Sequence, residues 1–303
     1  QKDEKKDDGP KVSGPSGHVA IDIKITKRKD GVTYDKAKWH VYLGEPEKDK
    51  RCSFTFVDIK TGIVDVYVGA DAYLCIGNEL PNDGELPPIP SEIAQFLDGS
   101  TKGSGVKSDD MNAATTAREK ALRNVKTQGT FGGGVMLGAS VTGKINVDLG
   151  LLYGDMKAIA GFDISITNRE GVICRNLNGG YGYYGWYGEG QLYAYLAAKL
   201  GVHINLGFID KKIDIINAGI GGVLKMGMPN PSYFEGKARV KLSLLGGLVN
   251  LDKKFAFDCG QRCDAFYGNA LDDFKMFGDL SIGDTLKADG WKKDNAIDPH
   301  LVT

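Results

Sequence analysis

The sequence predicts a mainly β protein: a long-stranded, amphipathic antiparallel meander sheet, preceded by a smaller N-terminal β-meander and accompanied by one or two short helices. Three observations predict it. From Phe131 onward, apolar and polar residues alternate with a period of two over runs far longer than an ordinary strand, the mark of extended chain with two unlike faces. Turn-forming clusters such as "IDKKID" and "PNPS" separate those runs. Gly supplies 42 of the 303 residues, about twice its usual share. It sits inside the apolar alternation, where it marks turns, bulges and close packing rather than disorder.

Taken in order, residues 1–17, "QKDEKKDDGPKVSGPSG", are charged and Pro/Gly-punctuated, and read as a linker or tail. Residues 18–107 open with "HVAIDIKITK", in which Val19, Ile21, Ile23 and Ile25 alternate with polar residues. "KWHVYL", "SFTFVDI" and "GIVDVYVGADAY" repeat the pattern as a small meander. A Pro/Gly-rich loop follows, with Ser91 placed to cap a short helix over "EIAQFL". Residues 108–127 predict the longest helix, with a modest stripe of Met111, Ala114, Ala121, Leu122 and Val125 that places it on a surface.

Residues 128–260 predict the long sheet. Val135 to Leu151 occupy one parity against Ser140, Thr142 and Lys144, and "YGD" reads as the turn into Met156 to Ile166. The next strand sets Leu192, Leu196, Leu200 and Ile204 against Gln191, Tyr193, Lys199 and His203. Ile220 and Leu224 mark the strand after it, and Val240, Leu242 and Leu244 the last. Those nine residues define an apolar face too large to be left bare on a soluble monomer. The N-terminal meander, the helix near Arg118 or another chain is expected to cover it. Bends or bulges are expected at Gly201, Gly219, Gly221, Gly222, Gly246 and Gly247. Residues 261–303 read as an extension toward a further module.

Composition excludes more than it assigns. With 38 Lys+Arg against 39 Asp+Glu there is no global charge bias toward nucleic acid or an anionic membrane surface. No run reaches the ~18 apolar residues of a membrane helix, and no signal peptide is seen. The start at Gln1 reads as a mature or partial chain.

Chemical motifs are equally sparse. "GASVTGK" approaches a phosphate loop, but Ile145 stands where a hydroxyl should hold magnesium and the stretch lies inside strand alternation, so no nucleotide is expected. The four histidines, His18, His40, His203 and His300, lack metal spacing. Asp148, Asp155 and Asp163 are read as turn-forming or solvating groups. No cofactor, metal or catalytic residue is assigned. Of five cysteines, Cys259 and Cys263 in "CGQRC" are spaced for a small disulfide loop in preference to a metal site, with free buried thiols as the bland alternative. The aromatic cluster Tyr181, Tyr183, Tyr184, Trp186 and Tyr187, interleaved with glycine, suits a seal over a sheet end. A carbohydrate platform or a membrane belt would use the same residues.

The strings "GWYGEGQLYAYL", "MPNPSYFEG", "KLSLLGGLV" and "DAYLCIGNELP" resemble segments of very large, uncharacterised secreted or envelope proteins of Bacteroidota-type bacteria, in which such a β-rich module precedes Ig-like repeats. The resemblance spans roughly residues 60–280 and rests on packing motifs. It implies an exported, modular protein at the cell surface and carries no catalytic residue. The expectation is a non-enzymatic structural or interaction module that buries its apolar face against a protein partner or in self-assembly. Two rivals use the same face differently: a lipid-carrying half-pipe, and a wall segment of an outer-membrane β-barrel.

Overall fold

The computed structural model describes residues 13–17, 19–24, 38–99, 130–174, 177, 180–205, 210–261, 263 and 265–267. Within them the alternation folds as expected into a mainly β structure dominated by an antiparallel meander. The N-terminal strands are β1 (Ser13–Ser16), β2 (Val19–Lys24), β3 (Lys38–Leu43), β4 (Cys52–Lys60) and β5 (Val64–Gly77). The long strands are β6 (Thr130–Asp148), β7 (Leu152–Glu170), β9 (Trp186–Asn205) and β10 (Asp210–Met228), followed by β11 (Tyr233–Leu244) and β12 (Val249–Gly260). Two short strands, β8 (Val172–Cys174) and β13 (Ala265–Tyr267), pair with each other beyond the end of the main sheet.

The main sheet runs β1-β4-β5-β6-β7-β9-β10-β11-β12, and every neighbouring pair is antiparallel. β4 lines one half of the outer side of β5, and β3, carrying β2, lines the other half. The division of 18–107 from 128–260 therefore does not follow the sheet. β5 is paired to β6 along its whole length, from Val64↔Val147 to Gly77↔Gly134. The small meander extends the long sheet edge to edge and lies beside its apolar face, not over it.

Local boundaries also move. Ser13–Ser16, assigned to a tail, form the edge strand β1. "YGD" lies inside β7, and the turn comes earlier, where the Asp148 carboxylate accepts the Gly150 N–H at 2.9 Å. That is the turn-forming role expected of Asp148. The bulge in this region falls between Asp214 and Ile216, opposite Gly201. Gly246 and Gly247 sit at positive φ in a short 3-10 turn, whereas Gly219 and Gly221 stay in regular register. The helix expected over 108–127, the tail up to residue 12 and most of 261–303 lie outside the described residues.

α1 (Ser91–Asp98) is the short helix expected after the Pro/Gly-rich loop. Its N-cap position is Pro90, and Ser91 is already helical, its hydroxyl turned to Glu92. Residues 80–99, with α1 at their end, form a strap that crosses the sheet on the face opposite to the one expected to be covered. The strap begins with Leu80 packed among Tyr42, Tyr73, Cys75 and Met136. It ends with Ile93 and Leu97 against Ile159 and Tyr193.

Candidate functional site

Strand pairing places the two parities on two unlike faces. On the first, register lines up Ala72, Ala139, Phe162, Leu192 and Leu224 in one row. Val68, Gly143, Ala158, Leu196, Ile220 and Val240 form another. Val64, Val147, Gly154, Leu200, Ile216 and Leu244 form a third. From Val64 to Ile76 on β5, Val135 to Val147 on β6, Leu152 to Ile166 on β7 and Gly188 to Ile204 on β9, this parity holds no Asp, Glu, Lys or Arg. The same is true from Ile216 to Met228 on β10 and from Phe234 to Leu244 on β11.

The face is open. Leu192 is 53% exposed, Leu196 and Leu200 44% each, and Ile220 53%. Ile204, Leu224, Val240, Leu242 and Leu244 are partly exposed. The nine face residues thus share a surface. Of the covers expected for it, the N-terminal meander is corrected, since no described residue lies over that surface, and the helix near Arg118 lies outside the described residues.

The strap closes the other face instead. A chain segment rich in proline offers more carbonyl oxygens than N–H donors, and the polar parity supplies the missing donors. Ser165 donates to the Gly84 carbonyl at 2.6 Å, Arg169 to that of Asp83 at 2.7 Å and Gln191 to that of Pro87 at 2.7 Å. Arg239 reaches the Phe96 carbonyl at 2.6 Å and Lys254 that of Asp98 at 2.7 Å. Lys157 pairs with Glu92 at 2.7 Å, and that hydrogen bond is the main reason the Glu92 carboxyl is held down at about 2. Gly219 and Gly221 leave the space that the Phe96 ring fills; a Cβ on Gly219 would lie 2.8 Å from it.

Beside the strap is a buried polar cluster that sequence reasoning missed. Asp163, read from sequence as a turn-forming or solvating group, is fully buried in mid-strand. Its carboxylate accepts from Arg51 at 3.1 Å and from Gln191 at 2.9 Å. Arg51 also donates to Asp71 at 2.9 Å and lies over the Tyr73 ring, while Ser140 donates to Asp71 at 2.6 Å. A buried carboxylate needs such partners, because an unpaired one costs several kcal/mol. The readable signal was the position of Asp163, inside unbroken alternation between Phe162 and Ile164 and away from any turn.

The aromatic cluster divides in two. Tyr181 and Tyr187 are buried with Val172, Cys174, Tyr233 and Cys263, sealing one end of the sheet as expected, and burial pushes the Tyr181 phenol well above its ordinary value. Tyr183, Tyr184 and Trp186 are exposed at the same end. A disulfide joins Cys174 to Cys263. The pairing of Cys259 with Cys263 is thereby corrected: β12 stays extended through Cys259, opposite Phe234, while β13–β8 pairing brings Ala265 opposite Cys174. Cys259 is a free, exposed thiol. Lys144, at the end of the phosphate-loop-like stretch, lies in β6 with its ammonium 5.7 Å from the centre of the Tyr67 ring. Among the described residues no group of His, Cys, Asp or Glu is arranged to hold a metal ion.

These features define a class by architecture: a strapped, two-faced antiparallel sheet with one face finished by its own chain and the other, among the described residues, bare. No family model matches the chain, and neither a curated protein nor a solved structure shows significant similarity to it.

Proposed function

We propose that this sheet is a stretch of transmembrane β-barrel wall, its bare face toward lipid and its strapped face toward a lumen. The observation that carries the reading is the uncharged band. At ~3.3 Å per residue, the apolar parity from Leu152 to Ile166 is about 46 Å long, which a strand tilt of ~45° turns into a height of about 33 Å. Val135 to Val147 gives about 28 Å by the same conversion. A bilayer's hydrocarbon core is ~30 Å thick.

The polar parity suits a lumen, where charged groups and a strap remain hydrated or paired. Exposed Tyr183, Tyr184 and Trp186 stand at one limit of the band, where amphipathic rings favour the headgroup region. No helix among the described residues is long and apolar enough to cross a membrane, which says nothing about strands. The disulfide is compatible with an oxidising compartment, which supports a bacterial-envelope location as part of the same proposal. In this reading the wall is non-catalytic.

The test is refolding from urea in the presence and absence of phosphatidylcholine vesicles, followed by flotation and carbonate extraction. The expected result is a protein that floats with the vesicles, resists extraction and aggregates without lipid. A defined, lipid-free soluble oligomer would overturn the reading in favour of the protein-interaction module. A soluble monomer carrying stoichiometric lipid would overturn it in favour of the half-pipe.

A further inference from the structure

β12 combines two features that no other long strand has. Among the described residues it pairs with β11 alone, leaving its outer row of N–H and C=O groups as the edge of the sheet. It also carries Lys253, among the described residues the one charged residue on the bare face within the otherwise uncharged band; Lys211, opposite Ile204, stands at the limit of that band. Register puts Lys253 beside Val240 in the row that contains Leu196, midway along the uncharged band. Its neighbours on the same side of β12 are Leu251, Phe255, Phe257 and Cys259.

On the membrane-wall reading, on which this inference rests, both features are costly if left alone. An open strand edge has no water to satisfy it in hydrocarbon. A lysine on the lipid side at mid-depth is strongly destabilising. One occupant relieves both. We propose that β12 is the docking edge for a further antiparallel β-strand, apolar where it meets Leu251, Phe255 and Phe257, and bearing a carboxylate opposite Lys253. The partner's backbone completes the ladder, and its carboxylate neutralises the ammonium across the strand pair, where opposite charges attract and like charges repel.

Cys259 reports the register without altering the protein, since it shares a side of β12 with Lys253 and is exposed. The probe is a synthetic nine-residue peptide of alternating threonine and apolar residues, with cysteine first, to face Cys259, and glutamate seventh, to face Lys253. Protein in detergent micelles is mixed with the peptide under mild oxidant, and the rate of mixed disulfide formation at Cys259 is followed by mass spectrometry. The glutamate peptide is expected to react about tenfold faster than its lysine counterpart. Moving the peptide's cysteine by one position, onto the other side of its strand, should remove the advantage. In Lys253→Glu protein the preference between the two peptides should reverse.

Equal rates for the two peptides, a rate indifferent to the cysteine's position, or no reversal in Lys253→Glu would each overturn the proposal. So would protein-to-protein linkage through Cys259 that outcompetes every peptide, which would make a second copy the occupant. Vesicle flotation of the same preparation reads the membrane reading separately.

Discussion

Leu196 lies midway between Gly188 and Ile204 on β9, which makes it a depth gauge. In the membrane-wall reading Leu196→Arg puts a guanidinium near the bilayer midplane, at a cost of about 2–4 kcal/mol, whereas near an interface the cost falls to about 0–1 kcal/mol. Ile204 is eight residues away, about 26 Å along the strand and about 19 Å in depth at a ~45° tilt, beyond the ~15 Å half-thickness of the hydrocarbon. Ile204→Arg should therefore cost about 1 kcal/mol or less. The difference corresponds to a folding equilibrium shifted about 30- to 900-fold by the first substitution and at most about fivefold by the second. The assay is urea unfolding of each variant after refolding into phosphatidylcholine vesicles. Leu196 is 44% exposed, and on a hydrated surface its replacement would stay within about 0.5 kcal/mol. If the two variants shift the midpoint equally, or Ile204→Arg costs more, the face does not sit in a bilayer and the argument from band height fails.

Thiol labelling of denatured, unreduced protein should modify Cys52, Cys75 and Cys259 and leave Cys174 and Cys263 joined in one proteolytic fragment. Replacing both bridged cysteines with serine should destabilise the protein by about 2–5 kcal/mol in an unfolding titration, and a fragment linking Cys259 to Cys263 would contradict this. The Glu92–Lys157 pair gives the strap a pH dependence of defined sign. Because the Glu92 carboxyl is depressed from 4.5 to about 2, the pair's contribution is complete above pH 4.5 and is lost as pH falls toward about 2. The pair is partly exposed, so its contribution is small, about 0.2–1 kcal/mol. Hydrogen exchange across 91–98 should accelerate over that window, and Glu92→Gln should abolish the change.

The strict period of two made the fold readable. Leu192, Leu196 and Leu200 against Gln191, Tyr193 and Lys199 fixed strand, length and faces together, and the observed register keeps each of them on its expected side. Which face the chain would cover was not readable from hydropathy, because that rests on matching partners. Ile93 and Leu97 favour an apolar surface, yet the strap before them presents the carbonyls of Asp83, Gly84 and Pro87, which need Arg169, Ser165 and Gln191. The polar parity also holds Tyr193 and Ile159, enough apolar surface to seat α1. It therefore satisfies both demands, where the apolar parity satisfies one. The disulfide was misread for a related reason: spacing describes neighbours along the chain, while Cys174 and Cys263 meet through β8–β13 pairing across a separation of 89 residues.

Counting directions along the sheet has a consequence for assembly. Among the described residues nine strands lie on its main path and each reverses the one before, so β1 and β12 point the same way. A ring whose seams are all antiparallel holds as many ascending as descending strands, and this arc is one out of balance. Identical arcs inserted with the same end up would meet, β12 to β1, at a parallel seam. A ring free of such seams needs an odd complement of strands beyond these nine between β12 and β1, so the arc alone, in any number of copies, does not fix the circumference.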